Sequence, residues 1–141
     1  MRGRMGLRFV LLVLSVVAVP AVLAAVGGDP AGQKQAVRLI VDYGDGVEKH
    51  FTAIPWKKGM TVLEALKAAA SHRHGIVFKH RGRGETALLT QIDDLKNAGA
   101  GADRKNWIYW VNEKPADKSF GLYALRPKDV VRWKYATYRF D

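Results

Sequence analysis

The chain has 141 residues, with 23 lysines and arginines against 13 acids and no cysteine. That length suits one small domain plus an extra segment. Without cysteine there are no disulfides, no thiolate nucleophile, no soft-metal thiolate site and no lipid-attachment cysteine, so stability must come from an apolar core.

The extra segment is at the front. Arg2, Arg4 and Arg8 precede an apolar run from Phe9 to Val26, and the small residues Ala24, Ala25 and Gly27 close it. This order describes a secretory signal peptide over residues 1–27, cleaved after Ala24 or Gly27. The alternative is an uncleaved anchor over residues 9–26, because about 18 apolar residues just cross a bilayer. Either way the protein is expected to be exported, periplasmic or extracellular, with membrane contact confined to this segment. Residues 28–35 read as a linker and residues 36–141 as the domain. Setting aside the leader's three arginines leaves 20 basic residues against 13 acidic ones.

Val37, Leu39 and Val41 alternate with Arg38, Ile40 and Asp42, as in a strand. The turn Gly44-Asp45-Gly46 and a second strand, Val47 to Ile54, complete an antiparallel hairpin. Thr61-Val62-Leu63-Glu64 matches a capping box. Behind it Val62, Leu63, Leu66, Ala69 and Ala70 recur at helical spacing, giving one main helix over about 61–73. Gly75 is a candidate stop. Shorter extended pieces follow at Ile76 to Lys79 and Thr86 to Ile92, then a Gly/Ala-rich loop from Asn97 to Lys105.

Asn106 to Asn112 (Asn-Trp-Ile-Tyr-Trp-Val-Asn) is the most aromatic stretch. Trp107, Tyr109 and Val111 point one way, Ile108 and Trp110 the other, so both faces are apolar. Such a strand is expected in the middle of a sheet, one face under the helix and the other under a separate cover. The alternation does not say which face is which. A short piece at Leu122-Tyr123-Ala124-Leu125 precedes the last strand, Val130 to Tyr138. There Val131, Trp133 and Tyr135 share one face and Arg132 and Lys134 the other. The class is α+β, a mixed sheet with the helix packed across it.

Thr61-Val62-Leu63-Glu64-Ala65-Leu66, Trp107-Ile108-Tyr109-Trp110-Val111-Asn112, Gly121-Leu122-Tyr123-Ala124-Leu125 and Asp129-Val130-Val131-Arg132-Trp133-Lys134-Tyr135 stand in the order of one family. From Val37 to Tyr138 the chain resembles the transcobalamin-like C-terminal domain, a domain of unknown function similar to the β-domain of transcobalamin and intrinsic factor. The resemblance implies a β-grasp-like fold and, as a ligand, cobalamin. The chain departs from the family at two positions where glycine is usual, Glu113 and Lys128. It also has no counterpart of the carriers' helical domain.

Candidate ligand contacts are Trp107, Tyr109, Trp110, Asn112 and Tyr123, against the alternative that most of these aromatics are core. Arg73, Lys79, Arg81 and Arg83, with His72, His74 and His80 among them, read as an anion patch or as a solvated basic helix end. Four permanent cations and no neighbouring carboxylate at ligand spacing argue against a metal there. Nucleic acid is not expected as a partner of an exported chain. Ser71 and Ser119 lack a nucleophile-elbow context, and adjacent Asp93 and Asp94 face opposite ways in a strand, so no enzyme is expected. The function expected is non-catalytic binding of a small molecule or glycan. The alternative is a protein-interaction module whose sheet face or edge is completed by a partner chain.

Overall fold

The computed structural model describes residues 35–138; the predicted leader and most of the linker lie outside them. Strands β1 (Ala36–Asp42) and β2 (Glu48–Pro55) form the predicted hairpin. Asp42 Oδ1 accepts from the Gly44 amide (2.9 Å) and Asp45 Oδ1 from the Val47 amide (3.0 Å). Gly44 has φ +75°, and a Cβ there would stand 2.3 Å from the Tyr135 carbonyl oxygen, so the turn admits glycine alone.

Helix α1 (Val62–Ala70) begins as expected: Thr61 Oγ1 accepts from the Glu64 amide (3.4 Å) and Glu64 Oε2 from the Thr61 amide (2.8 Å). It stops earlier than residue 73. Ser71 turns its hydroxyl back to the Lys67 carbonyl (3.0 Å), and Gly75 folds over the end, where a Cβ would meet the Ala69 oxygen at 2.5 Å.

Strands β3 (Phe78–Arg81), β4 (Leu88–Ile92) and β5 (Leu95–Lys96) make a small antiparallel sheet. Strands β6 (Lys105–Val111), β7 (Lys114–Pro115) and β8 (Val130–Thr137) join the hairpin in a five-stranded sheet ordered β2-β1-β8-β6-β7. The α+β class and the single main helix are as the sequence implied. Leu122 to Leu125 is not a strand; only Ala124 bridges to Thr61.

The aromatic segment is not central. The parallel pair β1–β8 takes the middle, and β6 has β8 on one side but only two-residue β7 on the other. The rest of its outer edge is closed by a loop. Asn97 Oδ1 accepts from the Trp107 amide (2.9 Å), the Ala98 amide donates to the Lys105 carbonyl (3.0 Å), and the Ala116 amide donates to the Tyr109 carbonyl (3.2 Å). Backbone groups that a neighbouring strand would satisfy are met instead by one asparagine and two loop amides.

Cross-strand register assigns the faces. Leu39, Val131 and Val111 form one row, and Val41, Trp133 and Tyr109 the next; all are buried. Helix α1 packs against the β1–β2 end of this face. Leu89 and Ile92 of the small sheet and Phe120 belong to the same core. Trp133 packs between Tyr109 (4.7 Å between ring centroids) and Phe120 (5.4 Å).

One polar knot ties the small sheet to the hairpin. The Tyr43 hydroxyl donates to Asp93 Oδ2, the Lys49 ammonium stands 3.2 Å from the same oxygen, and the Val77 amide donates to Asp93 Oδ1 at 2.9 Å. Burial pushes the Asp93 carboxyl up, but Tyr43, Val77 and Lys49 together outweigh it and hold it below the usual carboxylate value. Burial and the Asp93 charge push the Tyr43 phenol well above its ordinary value.

Two predictions follow from this frame. Replacing Thr61 with alanine removes the cap and lowers unfolding stability by about 1 kcal/mol in urea titration. Because folding lowers the Asp93 pKa, its contribution is complete above the unfolded carboxylate value and is lost as pH falls through the folded one. Asp93→Asn should therefore cost about 1.5–3 kcal/mol at pH 7 and flatten the acid limb of the stability–pH curve; an unchanged limb would refute the assignment.

Candidate ligand-binding face

The other face of the five-stranded sheet carries the alternate residues. Its rows read Arg38 beside Val130; His50, Ile40, Arg132 and Trp110; and Glu48, Asp42, Lys134 and Ile108. The separate cover expected over Trp110 is absent among the described residues. Trp110 is half-buried and lines a concavity of about 620 Å³ with Arg38, Ile40, Val130, Arg132 and Lys134.

The two ends of this face differ electrostatically. At one, Arg132 Nη1 lies 3.5 Å from Asp42 Oδ2 and also reaches Glu48 Oε1, and the Lys134 ammonium is 3.7 Å from Asp42 Oδ2. His50 Nε2 is 2.7 Å from Glu48 Oε2, and the hydrogen bonds from Arg132 and His50 hold the Glu48 carboxyl below its usual value. At the other end the exposed Arg38 side chain has no ion-pair partner among the described residues. An anionic ligand over Trp110 would meet Arg38 without breaking an existing pair.

The residues named from sequence go to different places. Trp107 and Tyr109 face the core, 5 % and 8 % exposed. The Trp107 indole donates to the Leu95 carbonyl (2.9 Å), and the Tyr109 hydroxyl donates to the Lys118 carbonyl. Tyr123 packs edge-on to Tyr109 at 6.1 Å, away from Trp110. Asn112 clamps β6 to β8: its Nδ2 donates to Asp129 Oδ1 (2.8 Å) and its Oδ1 accepts from the Val130 amide (2.9 Å). Only Trp110 and Asn112 line the open concavity. Lys79 and Arg81 lie on β3, Arg73 beyond α1 and Arg83 before the 3-10 turn; all four are exposed. Arg38, Ile40, Val130, Arg132 and Lys134 were not named. The signal was present in the polar half of the β1 and β8 alternation.

The two departures from the family pattern coincide with backbone strain. Asn112 and Glu113 have φ +50° and +67°, the two left-handed positions of a tight hairpin turn between β6 and β7, and Lys128 has φ +72°. Glycine adopts this conformation without cost, whereas a side chain pays about 1–2 kcal/mol. Glu113 borders the concavity.

Fold and site together define a β-grasp-like α+β domain with one covered sheet face and, among the described residues, one open face of mixed charge on which Arg38 is unpaired. The chain belongs to the family described as domain of unknown function DUF4430, whose model matches residues 59–137. A "putative metal binding protein" from Ruminococcus gnavus ATCC 29149 shares the fold at TM-score 0.56 and 11 % identity, over 74 % of this chain and 99 % of that one. Haptocorrin, crystallised in complex with Cbi, matches at TM-score 0.55 and 21 % identity over 72 % of this chain. The match spans only 25 % of the haptocorrin chain. It lies in the C-terminal region of that transcobalamin-family protein, which bears out the resemblance read from sequence. No curated protein matches the chain.

Trp107→Ala should cost about 3–5 kcal/mol of stability, and Trp110→Ala about 2 kcal/mol or less, by chemical denaturation. Equal costs would contradict the assignment of faces. Glu113→Gly should raise stability by about 1 kcal/mol by relieving the left-handed strain.

Proposed function

We propose that the protein is an exported, non-catalytic binding module that takes a flat, anionic small molecule or an acidic glycan on the open sheet face around Trp110. The observation that carries this reading is a half-buried tryptophan in a concavity lined by Arg38, Arg132 and Lys134. An indole face supplies apolar contact, and guanidinium groups pair with carboxylate or phosphate. The leader pattern of residues 1–27 supports export. The non-catalytic reading is supported by the two serines of the domain, whose hydroxyls donate to the Lys67 and Ala87 carbonyls at 3.0 and 2.9 Å.

Cobalamin is the cargo that the resemblance brings forward. Ile40, Trp110 and Val130 offer an apolar floor to one side of a tetrapyrrole plane, with Arg38, Arg132, Lys134 and Glu113 at its rim. The described residues provide no second wall, so such a ligand would be held on one side only.

The test is tryptophan fluorescence of the full chain, titrated with cobalamin, haem and an acidic glycan and checked by calorimetry against inner-filter effects. A saturable change that Trp110→Ala abolishes and Arg38→Ala weakens about tenfold, about the worth of one charge-assisted contact, is the expected result. Binding that survives Trp110→Ala, or none with any ligand, rejects the site.

A further inference from the structure

The two edges of the five-stranded sheet are treated differently. The β6–β7 edge is closed by Asn97, Ala98 and Ala116, whereas β2 has a sheet neighbour on one side only. The phase of the β1–β2 ladder tells which β2 groups point outward. The Tyr43 amide donates to the Val47 carbonyl (3.0 Å), so by alternation the pairs Val41–Lys49 and Leu39–Phe51 bond inward. Glu48 and His50 therefore turn their amides and carbonyls away from the sheet, with no partner among the described residues; beyond them the register shifts by one residue, with Thr52 and Ala53 both opposite Arg38.

Beside this edge runs a groove of about 340 Å³ between β2 and α1. Its walls are Phe51 and Ile54 from the strand and Ala68, Ala69 and His72 from the helix and its end. The helix wall is alanine where it faces the strand, so another backbone can approach closely. His72 stands edge-on to Phe51 at 5.7 Å.

We propose that β2 and α1 form a docking groove for an extended acidic segment of another protein, added as a sixth strand with alternate side chains in the groove. Charge selects the occupant. The lining itself has neither carboxylate nor lysine or arginine, only His50 and His72; Lys67 on α1 and Arg73 at its end are exposed beside it, and the edge carboxylate, Glu48, is already taken by Arg132 and His50. The chain carries a formal net charge of +10, so a second copy would bring like charge to the same edge. This groove is separate from the Trp110 face, and its occupancy does not depend on a ligand there.

The experiment is residue-resolved amide hydrogen exchange on the full chain. The probe is a capped peptide of alternating valine and threonine with aspartates at both ends. In the free protein the Glu48 and His50 amides should exchange freely while Lys49 and Phe51 are protected. Peptide should slow Glu48 and His50 at least tenfold and leave Lys49 and Phe51 unchanged. Ala68→Glu should weaken the peptide at least tenfold, Ala68→Gln should not, and Trp110→Ala should have no effect. No protection up to the peptide's solubility limit, or equal protection by a lysine-flanked peptide, overturns the proposal. So does protection already present in the free chain, whether sedimentation then shows a dimer or a monomer whose own terminal residues fill the groove.

Discussion

The parallel pairing of β1 with β8 is the constraint on which the architecture depends. It joins the two ends of the domain, and it sets Leu39 beside Val131 and Val41 beside Trp133. That register puts one apolar row after another under the helix and small sheet, and leaves Arg38, Ile40 and Asp42 beside Val130, Arg132 and Lys134 on the open side. A slip of one residue would carry the arginines into the core and Trp133 into water. Core and candidate site are therefore consequences of one register. A change that weakens the first blurs the second.

The same economy explains the division of the aromatics. Strand β6 offers an apolar residue to each side, but the described residues cover only one. Trp107 and Tyr109 are buried there, their polar atoms meeting the Leu95 and Lys118 carbonyls. Trp133 has no such partner for its indole nitrogen among the described residues; the face of its ring is shared between Tyr109 and Phe120 instead. Trp110 is left over a shallow concavity bordered by Arg38, Arg132, Lys134 and Glu113. Beside Arg132 in the register, its half-exposed ring is the large apolar surface that a ligand on this face would meet.

Strain is distributed in the same way. Glu113 and Lys128 stand in left-handed conformations that glycine would adopt freely. Glu113 lies at the rim of the open concavity, and Lys128, whose amide donates to the Ala36 carbonyl at 2.7 Å, lies at the entry to β8 beside β1. Both strained positions thus flank the β1–β8 junction or the face it generates. Backbone strain of this kind persists only where surrounding hydrogen bonds over-determine the turn. At Glu113 these include the Asn112 clamp to Asp129 and Val130.

Local chemistry made much of the fold legible. The capping box at Thr61 and Glu64, the glycine turn after Asp42 and the alternation of Val131, Trp133 and Tyr135 are each decided by neighbours in the chain. Their geometry follows from short-range sterics and hydrogen bonding. The basic balance was equally plain, because it is a property of composition. The sequence did not determine which strand takes the centre of the sheet, which side of Asn106–Asn112 faces the helix, or that Arg38 and Trp110 border one concavity. Those depend on pairings between residues as far apart as Arg38 and Val130, or Trp107 and Asn97. Period-two alternation is symmetric between faces, and only packing against a third element breaks that symmetry. Tertiary structure therefore decided the site, while the sequence alone decided the elements from which it is built.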